Sequence, residues 1–135
     1  MAVCFVVGLH IATPAPTTYV GRLRSLEATP YSTLNCSQYI CAAKRHAICD
    51  AQGFWNGCNG EAVVLKEYAS IQQVRTSDLQ PGDVLDFNGS HVAAYVGNGQ
   101  FMDSTPERGV GTVNPYSQQF DLWYSGPVRV VRWVK

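Results

Sequence analysis

Asn35-Cys36-Ser37-Gln38-Tyr39-Ile40-Cys41-Ala42-Ala43-Lys44-Arg45-His46-Ala47 is the stretch on which the fold turns. Cys36, Tyr39, Ile40, Ala43 and Ala47 recur at i, i+3, i+4, i+7 and i+11, one face of a helix, and Asn35 stands where an N-cap belongs. Cys36 then sits in the first turn, where unpaired amides and partial positive charge favour a thiolate. The same amides suit an oxyanion hole. The position equally suits a small, buried core residue.

Upstream, Val20, Leu23 and Leu26 fall at helical spacing within residues 18–28, and a loop with Pro30 follows. Residues 2–15 are apolar, but no Lys or Arg precedes Arg22 and His10 interrupts the run. They read as folded chain, neither a signal-peptide core nor a bilayer span. Downstream, the stretch Phe54-Trp55-Asn56-Gly57 leads to Asn59, which is expected to cap a second short helix over residues 61–68.

The period then changes. Residues 83–87, 91–96, 100–103, 110–113 and 128–134 are short, rich in β-branched and aromatic side chains, and separated by Gly, Pro and Asn. Helices first and strands second predict an α+β fold, N-terminal helices packed on a C-terminal antiparallel sheet. With 135 residues and no repeat or linker, residues 1–135 are read as a single domain.

Lys and Arg total 10, as do Asp and Glu, so charge gives no reason to expect nucleic acid as a partner. Five cysteines are many for a reducing compartment. Cys49 and Cys58, with Gly53 and Gly57 between them, suit a small disulfide loop and equally suit buried free thiols. The spacings include no C-x-x-C pair and no His pair at metal-ligand separation, so no metal or cofactor is expected. The sequence has no G-x-S-x-G elbow and no P-loop, and Gly109-Val110-Gly111 lacks the third glycine of a dinucleotide fingerprint.

A nucleophilic cysteine needs a base within reach. His46 lies ten residues along the same helix, roughly 15 Å away at 1.5 Å per residue, so it cannot serve. His91 opens a strand after the turn residues Asn88-Gly89-Ser90, an accessible place for an imidazole. If Gly97-Asn98-Gly99 forms a three-residue hairpin loop, His91 and Asp103 become diagonal neighbours on one sheet face. A two-residue turn at Asn98-Gly99 is expected to slip the register by one and put them on opposite faces. In the first case Asp103 can orient the imidazole as the third member of a triad.

Three runs now resemble one family. Asn35-Cys36-Ser37-Gln38-Tyr39-Ile40 resembles the NlpC/P60 motif D-C-S-G followed by two hydrophobic residues, and Leu79-Gln80-Pro81-Gly82-Asp83-Val84 resembles its L-x-P-G-D-L. The run from His91-Val92-Ala93 to Met102-Asp103-Ser104 is similar to H-V-G-I-Y-x-G-N-G-x-F-I-H-A, and Trp123-Tyr124 with Val130-Val131-Arg132 is similar to the closing strand. The likeness spans residues 19–134. It implies a papain-like fold and a cysteine hydrolase acting on amides of peptidoglycan stem peptides, with the γ-D-glutamyl–diaminopimelate bond as the expected target.

Carried over residue by residue, the resemblance makes Cys36 the nucleophile, His91 the base and Asp103 the third polar residue. Asn35, Ser37, Ser90, Trp55 and either Tyr19 or Tyr31 become candidate substrate contacts. Asn35 replaces the usual Asp, Gln38 replaces a Gly and is expected to crowd the site, and Asp103 takes a position commonly His, Asn or Gln. The implied setting is secreted, periplasmic or extracellular, as a monomer that does not insert into membranes. An injected antibacterial amidase with an immunity protein as partner fits the same chemistry, and a catalytically inactive binding module fits the same fold.

Overall fold

The structure, a computed structural model, describes residues 16–118 and 121–135. Residues 2–15, read from the sequence as folded chain, lie outside the described residues, as do Cys4 and His10.

Helix α1 spans Tyr19–Ser25 and is capped by the Thr18 hydroxyl, which accepts from the Gly21 amide. Helix α2 spans Cys36–Lys44 and begins where the spacing predicts. Asn35 accepts from the Gln38 amide while the Gln38 side chain accepts from the Asn35 amide, a reciprocal capping box. Gln38 is thus folded back onto the cap, contrary to the expectation that it crowds the site. The helix stops short of Ala47 because Arg45 turns left-handed at φ 60° and closes the last turn with its amide.

The predicted helix over residues 61–68 is a strand. β1 spans Ala62–Tyr68 and pairs antiparallel with β6, Val128–Trp133, through a bulge at Leu65. Val63, Val64 and Leu65 prefer an extended backbone, and the ladder to β6 decides the matter against the weak helical signal. Asn59 lies in a left-handed turn at φ 56° instead of capping anything. The helix in this region is α3, Ala51–Trp55, which the sequence reading passed over; its N-cap is Asp50, accepting from the Gly53 amide at 2.7 Å. A Cys49–Cys58 disulfide brackets it, resolving that pair in favour of a bond, while Cys36 and Cys41 are free.

The other strands are β2 (Val84–Phe87), β3 (His91–Gly97), β4 (Gln100–Thr105) and β5 (Gly109–Val113). The six strands form one antiparallel sheet in the order β1-β6-β2-β3-β4-β5, consistent with the α+β expectation. Val92, Ala94, Val96 and Met102 pack with the helices on one face, and Leu85, Phe87, Ala93 and Phe101 build a second core on the other. Trp123-Tyr124 lie in a single 3₁₀ turn, Leu122–Tyr124, ahead of the closing strand and not in it.

The motif Pro81-Gly82-Asp83 is structural. Arg132 holds the Asp83 carboxylate through two bonds of 2.8 and 2.9 Å, and the Gly82 amide donates to the Tyr95 carbonyl. At the far edge of the sheet, the segment after α1 pairs with β5: the Ala28 amide donates to Val110 and the Val110 amide to Thr29. Gly109 permits that approach, since a Cβ there would stand 2.5 Å from the Thr29 oxygen. This edge pairing places the loop carrying Tyr31 beside the start of α2.

Candidate functional site

A buried hydroxyl ties the beginning of α2 to the sheet. Ser104 of β4 donates to the Leu34 carbonyl at 2.6 Å, one residue before the N-cap. Further along, the Tyr39 hydroxyl donates to Leu23 and the Arg22 guanidinium to Ala43, so α1 braces the rest of the helix. Cys36 thereby enters the first turn at a fixed place. Asn35 occupies the Gln38 amide, which leaves the Cys36 and Ser37 amides as the donors at this helix end.

His91 opens β3 and pairs with Phe87 of β2. Its Nε2 lies 2.8 Å from Asp103 Oδ2, and its Nδ1 is buried without a hydrogen-bond partner among the described residues. The ring sits edge-on to Trp123 and Tyr124 and stacks on Phe87, which leaves it little freedom to turn.

The hairpin that joins the pair differs from both sequence alternatives. Gly97 pairs with Gln100, so the turn has two residues, Asn98 and Gly99. Between Tyr95 and Gly97 the register shifts, and beyond that bulge Tyr95 faces Phe101 and Ala94 faces Met102. The bulge at Val96 absorbs the slip that the two-residue turn alone would impose. His91 and Asp103 consequently share a face, as the three-residue alternative required, although the turn is the other one.

Burial is the largest influence on His91 and favours the neutral ring. The hydrogen bond to Asp103 and the nearness of Cys36, with the charges of both, outweigh it and push the imidazole up to about 9. Burial also works against the Asp103 charge, but hydrogen bonds from His91, Tyr124 and Arg108 hold that carboxyl below its ordinary value. The Tyr124 hydroxyl donates to Asp103 Oδ2 and Arg108 Nη2 to Oδ1, each at 2.5 Å. His91 and Asp103 are fully buried, whereas Cys36 keeps 7% of its surface open.

Of the candidate contacts, Tyr31 is half-buried and close enough to Cys36 that burial first, then the charges of Cys36 and Glu107, push its phenol up. Tyr19 is elsewhere: its hydroxyl donates to Gly82 and accepts from the Trp133 indole, a framework role. Ser37 is buried and donates to the Asn35 side chain. Ser90 is exposed in the turn before His91. Trp55 is half-buried under the Arg129 guanidinium, 4.2 Å from the ring centroid.

Sequence reasoning missed three residues here. Tyr124 reaches Asp103 only through the tertiary fold, and Arg108, five residues on, only through the β4–β5 hairpin; neither carries a signal of its own in the sequence. Asp86, on β2, donates nothing and accepts from the Gly89 amide at 2.8 Å; its other oxygen is unpaired among the described residues, and burial pushes the carboxyl up to about 7. A cavity of about 300 Å³ is lined by Arg108 and Tyr124, the two side chains that bond Asp103, with Glu107, Asn114, Asp121 and Trp123 among others, and by none of Cys36, His91 and Asp103 themselves. A roomier one, about 620 Å³, surrounds the disulfide and touches none of Cys36, His91 and Asp103.

Among the described residues, no group of three or more His, Cys, Asp or Glu side chains is arranged to hold a metal ion, and no helix is long and apolar enough to cross a membrane. Compared with known proteins, residues 25–129 match the family described as the NlpC/P60 family. No curated protein matches the chain.

Proposed function

This chain belongs to the NlpC/P60 family, whose activity is that of a peptidoglycan-related cysteine peptidase or amidase, and from that premise we propose that Cys36 and His91 perform the hydrolysis. The observation that carries the reading is the imidazole itself. One nitrogen is anchored on a buried carboxylate, the other is unpaired, and the cysteine at a helix start raises the ring's proton affinity.

In this reading Cys36 and His91 form a thiolate–imidazolium pair. The sulfur attacks the amide carbonyl, and the oxygen's developing charge is met by the first-turn amides of α2. His91 protonates the leaving nitrogen as the C–N bond breaks, and a thioester remains. Water, deprotonated by the now neutral His91, attacks the thioester and regenerates the thiolate and the imidazolium. Asp103 holds the ring in the required tautomer.

The substrate is a peptidoglycan stem peptide, cut at the γ-D-glutamyl–diaminopimelate amide, with Tyr31 as a substrate contact and the protein acting in a secreted, periplasmic or extracellular setting. Asn35, neutral where the family commonly has Asp, shifts the preference away from a free ammonium group at that subsite.

Muropeptides incubated with the protein and resolved by mass spectrometry test this. Cleavage at that amide is expected, with at least about a thousandfold loss in Cys36→Ala and in His91→Ala, and about a hundredfold loss in Asp103→Ala. Full activity in either of the first two variants overturns the assignment.

A further inference from the structure

The Asp103 carboxylate is fully buried and is reached from several elements. His91 of β3 and Tyr124 of the 3₁₀ turn share Oδ2, and Arg108 of the β4–β5 hairpin takes Oδ1. Cys36 and Tyr39 of α2, Asp86 of β2 and Asp121 beside Tyr124 are further titratable groups that act on this cluster. The same guanidinium donates through Nη1 to the backbone oxygens of Asp103, at 3.1 Å, and Gly109, at 2.8 Å.

Arg108 can fold back in this way because of a glycine. Gly111 pairs with Asp103 across the β4–β5 ladder, and a Cβ on it would stand 2.6 Å from Arg108 Nη1 and 2.9 Å from its Cδ. Gly111 is not in the left-handed region, so what this position needs is empty space and not backbone freedom.

We propose that Arg108, seated over Gly111, is a positioning residue that fixes Asp103 as a carboxylate in the one orientation that addresses His91 Nε2. The proposal rests on the Cys36–His91 reading above. An imidazolium could compensate the carboxylate in the resting state, but His91 gives its proton to the leaving amine. At that moment Arg108 is the cation left on a fully buried charge, and an unpaired buried charge is costly. Its contacts to both side chain and main chain also set the carboxylate rotamer, which a lone ammonium does less well.

Withdrawing a cation raises the proton affinity of a neighbouring carboxylate and thiol alike, so the acid limb of reactivity moves to higher pH. Alkylation of Cys36 by iodoacetamide, followed across pH by mass spectrometry of the peptide that carries it, reads that limb without a substrate. Arg108→Gln is expected to raise it by about one pH unit and to slow hydrolysis about tenfold. Gly111→Ala, which keeps every charge but displaces the guanidinium, is expected to give the same displacement, and Arg108→Lys to recover part of it.

A limb that stays in place in both Arg108→Gln and Gly111→Ala overturns the proposal. Wild-type Cys36 that alkylates only with the profile of an ordinary thiol, near pH 8.5, counts instead against the Cys36–His91 reading beneath it.

Discussion

Helix α2 carries both free cysteines of the described region, and its two halves treat them oppositely. At the N-terminal end Cys36 has the helix-end amides and acts on the imidazole held by Asp103, raising its proton affinity. Five residues on, Cys41 is 1% exposed; its sulfur accepts from the Cys49 amide at 3.3 Å and faces the Cys49 carbonyl at 3.6 Å. Burial pushes the Cys41 thiol up, with the Cys49 backbone hydrogen bond working weakly the other way. The same side chain on the same helix is thus a candidate nucleophile in one place and a packing group in the other. Position in the fold, and not the thiol, makes the difference.

That contrast is broken most directly by chemistry on the native protein. Iodoacetamide at pH 7 is expected to label Cys36 at least about a hundredfold faster than Cys41, as counted by peptide mass spectrometry. Comparable labelling of the two would mean that the helix end confers nothing.

A smaller effect concerns the half of the molecule around Cys41. The Cys49–Cys58 bond closes a short loop around α3, and Cys49→Ala/Cys58→Ala is expected to lower unfolding stability by about 2–3 kcal/mol in urea titrations. Muropeptide cleavage below the melting transition should stay within about threefold of the native rate, because the cavity around the bond is lined by none of Cys36, His91 and Asp103. A loss of activity as large as that of Asp103→Ala would join the two halves functionally.

The smallest effect belongs to Asp86. The folded carboxyl holds its proton up to about 7 against an ordinary 3.8, so the folded chain binds more protons than the unfolded one within that window. Stability from this group is greatest below the window and falls as pH rises through it. Asp86→Asn should therefore gain about 1 kcal/mol on the native chain between pH 6 and pH 7 in thermal melts. An unchanged difference across that range would remove Asp86 from the electrostatics around His91.

The sequence made α2 legible because one face of it repeats at helical spacing from a capping Asn, and the five C-terminal strands because their residues are β-branched and bounded by turn formers. It misled at residues 61–68, where nothing local announces the partner strand sixty-odd residues away. At the site, Cys36 and His91 could be named from a helix end, a strand start and the exclusion of His46. Arg108 and Tyr124 could not, because what selects them is a meeting with Asp103 that only the folded sheet creates. Tyr31 and Tyr19 were indistinguishable in sequence and separate only once β5 draws the loop before α2 to the site, while Tyr19 is spent on Gly82 and Trp133.

The bulge at Val96 gives the hairpin tip a bookkeeping role of its own. A strand assigns its side chains by odd and even, and the imidazole and its carboxylate must fall on the same parity although a turn of even length separates them. Val96 is the odd residue that balances the count. The tip can exchange a bulge for a longer turn without harm, but a net change of one residue that passes into the ladder would carry either His91 or Asp103 through to the helix side of the sheet, leaving both residues present and their pairing gone.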